Sequence, residues 1–319
     1  MRQEDAIIVG GGPCGLSAAI ALKKIGLNPI IIEKGNIVNA IYNYPTHQTF
    51  FSSSEKLAIG DVPFIIEGQK PKRNQALVYY REVVKHHQLQ INRFETVEHV
   101  QKEGNTFTVK TSKDCYETPY VIIATGYYDS PNEMQIEGEN LPKVSHYFKE
   151  GHPYFDTDVL VIGGKNSAID AGLALHKAGA RVTVVYRGSE YSSSIKPWVL
   201  PDFAALARTG EIQMLFNTNV KKITEQSVTL SVEGKEQTIQ NDFVFAMVGY
   251  HPDHEFIREM GVTEDDETGR PTFDPETMET NVDGLFIAGV IAAGNNANEI
   301  FIENGRFHGE QIAKCIAKK

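Results

Sequence analysis

Cys14 sits in an unusual place for a reactive side chain, inside the glycine-rich stretch IIVGGGPCGLSAAIALKKIG, Ile7 to Gly26. A thiol attacks a disulfide only as the thiolate, and with an ordinary pKa near 8.5 only about 3% of it is ionised at pH 7. A helix N-terminus lowers that pKa by less than about one unit, and an anion held on the same helix end pushes it back up. Two readings of Cys14 therefore stand. It is either a redox-active thiol or a small residue filling a tight loop where alanine or serine would serve. Cys115 and Cys315 are remote from it in sequence, with no CxxC and no Cys/His cluster at zinc spacing, and read as core or surface residues.

The loop around Cys14 has its own chemistry. Gly10, Gly12 and Gly15 form GxGxxG directly after the apolar run AIIVG and directly before a helical pattern that opens at Pro13 and stops at Gly26. The first glycine allows the tight turn, the second lets a pyrophosphate approach the backbone, and the third lets helix pack on strand. Next, NPIIIEK reads as a second buried strand that ends at Glu33, followed by Lys34. An acid about 20 residues beyond the loop is placed for the ribose hydroxyls of an adenosine.

The same pattern returns in DVLVIGGKNSAIDAGLALHKAGARVTVVYR. A strand over 159–163 leads into Gly163, Gly164, Lys165, Asn166, Ser167 and Ala168, with a helix from Asn166 to Lys177 and a strand over 182–186. Lys165 stands where the middle glycine would be and Ala168 where the third would be. The second strand ends not in an acid but at Arg187, and an arginine there accommodates the 2′-phosphate of NADP. The other reading of Arg187 is a solvated surface charge. Lys196 is a second candidate for the same phosphate.

These sites need elements to hold them. Each half closes with a similar apolar strand, YVIIATG ending at Thr125 and Gly126, and DFVFAMVG ending at Gly249. A last strand, GLFIAG, ends at Gly289, and a helix over 299–314 is expected to start beside Ile300. The expected fold is α/β, with two Rossmann-like dinucleotide-binding domains, the second inserted into the first: residues 1–126 and 252–319 outside, residues 127–251 inside. A site with an acid and a site with an arginine suggest FAD in the outer domain and NADPH in the inserted one. Thr125, Gly126, Gly289 and Ile300 are counted with the FAD site.

Composition narrows the function classes. The net charge of −10 and the lack of a basic run argue against nucleic acid. No apolar stretch approaches the roughly 20 residues that span a bilayer, and Glu4 and Asp5 precede only a short apolar run, unlike a signal peptide. A cytoplasmic protein is expected.

In their order and intervals, GGGPCG, VIIATG, VIGGKNSAID and TNVDGLFIAG resemble the low-molecular-weight thioredoxin reductase superfamily over the full chain. Those enzymes carry a CxxC just before the second glycine loop. Here the matching segment, SHYFKEGHPYFDTD, has no cysteine, and the late Gly-Asp motif reads Gly289-Val290. GGGPCG without CxxC and with Gly-Val resembles the bacillithiol disulfide reductase family. That resemblance implies an NADPH-dependent flavoprotein acting on a low-molecular-weight disulfide, with Cys14 as the reacting cysteine and a homodimer or higher homo-oligomer as the assembly. A proton donor is also required, for which Tyr42, His47, Tyr128 and His152 are candidates. Two other readings, a ferredoxin or flavodoxin NADP reductase and a flavin monooxygenase-like enzyme, share parts of the pattern.

Overall fold

The runs Ile7–Val9 and Ile30–Glu33 are buried at every position. Strands buried on both faces belong inside a parallel sheet with cover on each side. In the computed structural model, which describes every residue except residue 297, they do. Five parallel strands lie in the order Leu285–Ile287, Val121–Ile123, Ile7–Val9, Ile30–Glu33 and Gln90–Arg93. The helix Pro13–Lys24 crosses from the third to the fourth, with Gly15 through Leu22 all buried.

A second parallel sheet of five runs Ile212–Leu215, Arg181–Val185, Asp158–Ile162, Phe243–Ala246 and Val144–Ser145. Alternation sorts its central strand into two cores. Val159 and Val161 face the helix Asn166–Lys177 together with Ile169, Leu175, Phe203 and Phe245. Leu160 and Ile162 face Val228 and Leu230 on the other side. The latter belong to an antiparallel three-stranded meander over Thr218–Ile223, Ser227–Val232 and Lys235–Gln240. The first sheet has a similar companion, where Val97–Glu103, Thr106–Thr111 and Cys115–Thr118 pair antiparallel and Arg2–Gln3 adds a parallel edge.

The chain divides into two compact units. One holds 1–43, 48–130 and 250–319; the other holds 44–47 and 131–249. The short piece at 44–47 goes with the second unit because the Thr46 amide donates to the Lys149 carbonyl at 2.9 Å, a long-range pairing that no local pattern announces.

The expected helix over 299–314 is instead two helices, Ile302–Gly305 and His308–Ile316. Ile300 thus precedes the helical segment rather than starting it. The helix begins where the Asn304 side chain accepts the Phe301 amide at 2.7 Å. It breaks where the Arg306 carbonyl accepts the Ser17 hydroxyl at 2.6 Å, a partner from outside the helix.

Candidate functional site

Both glycine turns are built on one plan. The Gly10 amide donates to Ile32 across the sheet, as the Gly163 amide donates to Val185, each at 2.9 Å. Gly10 has φ +109° and Gly163 φ +140°. A Cβ at either would stand 2.5 Å from a carbonyl oxygen of the neighbouring strand's end, that of Ala124 or Met247. Both positions therefore demand glycine twice over, by backbone and by space. A Cβ at Gly15 would lie 2.1 Å from the Gly10 carbonyl oxygen, so the helix rests directly on the turn. Ala168, at the matching place in the second turn, keeps its methyl group, which a Cβ on Gly163 would approach to 3.2 Å.

Gly12 differs from these. Its φ is −75° and a Cβ there would meet nothing within 4 Å. Neither strain nor packing within the chain requires glycine at Gly12; open space in front of a helix N-terminus, with Pro13 as the first helical residue, is what a pyrophosphate would occupy. Beside it, the Glu33 carboxylate is 7% exposed and accepts the Gly11 and Gly35 amides, both at 2.7 Å. Burial pushes this carboxyl up, against the lowering effect of the two amide bonds. The remaining lone pairs of both oxygens can accept further donors. Lys34 is ion-paired with Asp129 at 3.1 Å. At the end of the neighbouring strand the Thr125 hydroxyl is buried with no hydrogen-bond partner, and Gly126 follows with φ +72°. A free polar atom at the rim of an open glycine cradle fits a nucleotide with hydroxyl and phosphate groups.

Cys14 occupies the first turn of the helix Pro13–Lys24. Its sulfur lies in a notch where a Cβ on Gly289 or on Gly305 would come within 3.0 Å of it. The Gly289 amide donates to His308 Nδ1 at 3.1 Å, which puts the imidazole proton on Nε2. Burial pushes His308 down to about 4, so the ring is neutral at pH 7. Burial, with the nearby Glu303 carboxylate adding to it, pushes the Cys14 thiol up to about 12. At rest Cys14 is a thiol, and the helix N-terminus does not reverse that. All three cysteines are free, with Cys115 at the start of its strand and Cys315 on the last helix.

In the second unit, Lys165 precedes the helix in extended backbone and is exposed, as is Ser167. The Asn166 side chain ties this turn to a neighbouring loop, donating to the Ser194 carbonyl at 3.1 Å and accepting the Lys196 amide at 2.8 Å. Lys196 is thereby fixed near the turn. Gly164 packs on the Tyr186 ring, whose Cγ would be 2.3 Å from a Cβ there. Arg187 is exposed just past its strand and makes no ion pair among the described residues. An unpaired guanidinium beside a glycine turn is suited to a phosphate.

The segment without CxxC is given over to packing. Phe148 meets Phe245 edge to face at 5.3 Å, and Tyr154 meets Phe243 and Phe245 at 5.0 Å each. Among the four proton-donor candidates, Tyr128 donates to the Asn43 carbonyl at 3.3 Å and Tyr42 lies under the Arg73 guanidinium. His47 and His152 fall in the second unit. The titratable groups gathered around Cys14 are Glu303 and His308, which the sequence reading passes over. The only local signal for Glu303 is an acid in the first turn of the helix after the late glycine motif.

Comparison with known proteins gives a consistent picture. The family model described as pyridine nucleotide-disulphide oxidoreductase matches residues 7–289. The chain is 68% identical over 321 residues to bacilliredoxin reductase Bdr of Bacillus subtilis (strain 168), covering 100% of this chain and 99% of the relative. It superposes with TM-score 0.98 on the solved bacillithiol disulfide reductase Bdr (YpdA) from Staphylococcus aureus, at 62% identity with 100% of each chain covered. It also superposes with TM-score 0.98 on the protein of that name from Bacillus cereus, at 66% identity with 99% of each covered.

Proposed function

This chain belongs to the pyridine nucleotide-disulphide oxidoreductase family, and on that premise we propose that it is an NADPH-dependent FAD flavoprotein that reduces bacillithiol disulfide, with Cys14 as the reacting thiol. The observation that carries the reading is the seat of Cys14, in the first turn of a helix that opens on a glycine cradle where a Cβ on Gly12 would meet no atom of the chain. The names of relatives 62–68% identical to this chain, a bacilliredoxin reductase and bacillithiol disulfide reductases, support it.

FAD is assigned to the first unit, with Gly10, Gly12, Pro13 and Gly15 under its pyrophosphate, Glu33 on the ribose, and Thr125, Gly126 and Gly289 along its length. Lys34 and Ile300 flank that site. NADPH is assigned to the second unit, against Gly163, Gly164, Lys165, Asn166, Ser167 and Ala168, with Arg187 on the 2′-phosphate. In this reading both units are Rossmann-like domains, the NADPH domain inserted into the FAD domain. Bound flavin and nicotinamide supply the electron pair. The chain holds the cofactors, keeps the thiol protonated and enclosed, and offers its sulfur to the disulfide.

Anaerobic and aerobic NADPH oxidation by the FAD-loaded protein tests this. We expect turnover with bacillithiol disulfide under nitrogen, well above the rate with flavodoxin or ferredoxin. Turnover confined to oxygen or to those carriers would replace this reading with the monooxygenase-like or NADP reductase alternative.

A further inference from the structure

The two glycine turns match at the strand that follows each of them. The Gly10 amide donates to the Ile32 carbonyl and the Gly163 amide to the Val185 carbonyl, so the next residues along, Glu33 and Tyr186, hold equivalent places. The second glycine of each turn gives the same match. A Cβ on Gly11 would meet the Glu33 Cβ at 3.2 Å, and a Cβ on Gly164 would meet the Tyr186 Cγ at 2.3 Å. Arg187 therefore stands one residue beyond the acid's place, where the first unit has Lys34, and the acid itself is replaced by an aromatic ring.

That ring is built into the turn. The Tyr186 amide donates to the Leu215 carbonyl at 2.9 Å, and the Tyr186 carbonyl accepts the Thr218 amide at 3.0 Å. A Cβ on Gly188 would also strike the ring, 2.4 Å from Cε1. Neither Gly164 nor Gly188 has a positive φ, so room for the ring, rather than backbone strain, excludes a side chain at both. A carboxylate in this place, as at Glu33, accepts a ribose 2′-hydroxyl; beside a 2′-phosphate the same carboxylate would repel.

We propose that Tyr186 is a specificity-determining residue. By filling the acid's place with a ring that carries no carboxylate, it lets the second unit take an adenosine ribose bearing a 2′-phosphate, with Arg187 beside it, and gives up the group that would hold a free 2′-hydroxyl. The inference rests on the assignment of NADPH to the second unit, and its test separates the two.

The test is calorimetric titration of the FAD-loaded protein with adenosine 2′,5′-bisphosphate, which carries the 2′-phosphate, and with 5′-AMP, which lacks it. Neither nucleotide can donate a hydride, so turnover plays no part. The wild type binds the bisphosphate about tenfold or more tightly than 5′-AMP, Tyr186→Glu lowers that ratio about tenfold or more, and Tyr186→Gln, the uncharged counterpart of the same size, keeps it within about threefold. Tyr186→Asp replaces Tyr186→Glu should the longer acid not fold. An acid variant with the wild-type ratio overturns the proposal and leaves the NADPH assignment standing. So does a Tyr186→Gln protein that loses the ratio as far as Tyr186→Glu, because the ring itself, and not the missing carboxylate, would then set the preference. A wild type that does not distinguish the two nucleotides overturns both.

Discussion

At the residue scale, the two neighbouring glycines Gly10 and Gly12 do different work, and substitution separates them. Gly10→Ala forces a methyl group against the Ala124 carbonyl at φ +109°, which costs about 2–4 kcal/mol of stability, a large share of a domain's margin. Gly12→Ala meets nothing within the chain and has an ordinary φ, so the apoprotein should melt as the wild type does. The same methyl group would crowd a bound pyrophosphate, and FAD affinity should fall about tenfold or more. Thermal melts of both apoproteins and FAD titrations check this; a Gly12→Ala protein that binds FAD normally would remove the phosphate from that position. Cys14 stands out in the sequence, yet its protonation is not legible there. Spacing shows the helix N-terminus, which favours the thiolate; the burial and the Glu303 carboxylate that outweigh it come from parts of the chain almost 300 residues away.

At the element scale, the strand–turn–helix–strand units at Ile7–Glu33 and Asp158–Val185 are legible because both signals are local: apolar runs of strand length, and glycines where backbone and packing admit nothing else. The meanders are harder. Their alternating strands, such as Ser227–Val232, bury only part of one face and look like any polar hairpin. The helix Arg73–His87 has no counterpart in the sequence reading, although Ala76, Tyr79, Tyr80 and Val83 recur at helical spacing and are buried. The break between Ile302–Gly305 and His308–Ile316 is not legible locally: the Arg306 carbonyl at the break accepts the hydroxyl of Ser17, a residue almost 300 positions away. That break also places His308 at the start of a helix, where its Nδ1 holds the Gly289 amide. Folding lowers the imidazole's proton affinity to about 4, so below its ordinary pKa near 6.5 the unfolded chain binds the extra proton. Stability from this group is complete above pH 6.5 and is lost as pH falls toward 4. For a half-buried ring this amounts to about 1–3 kcal/mol. Urea unfolding from pH 7 to 5 should show a shallower decline in His308→Gln than in the wild type; parallel declines would mean His308 is not the group responsible.

At the scale of the whole molecule, the chain repeats one idea twice, a five-stranded parallel sheet with an antiparallel meander and a glycine turn. The paired motifs make that duplication readable, while 44–47 joining the second unit involves long-range contacts such as the Thr46 amide to the Lys149 carbonyl. In the proposed reading, two glycine turns ending in different residues, Glu33 and Arg187, hold two different dinucleotides, one as a resident and one as a donor of electrons. The sequence has no CxxC, and in the proposed reading the sulfur that exchanges is that of Cys14. The most direct test is a single turnover: reduce the FAD-loaded protein anaerobically with one equivalent of NADPH, mix it with bacillithiol disulfide, and follow flavin absorbance for wild type and Cys14→Ala. The account predicts that the wild-type flavin reoxidises within seconds, whereas the variant, equally flavinated and equally reduced by NADPH, stays reduced at least a hundredfold longer, about 3 kcal/mol of lost transition-state stabilisation. Reoxidation at the same rate in both proteins would contradict it and leave Cys14 as a packing residue of the loop.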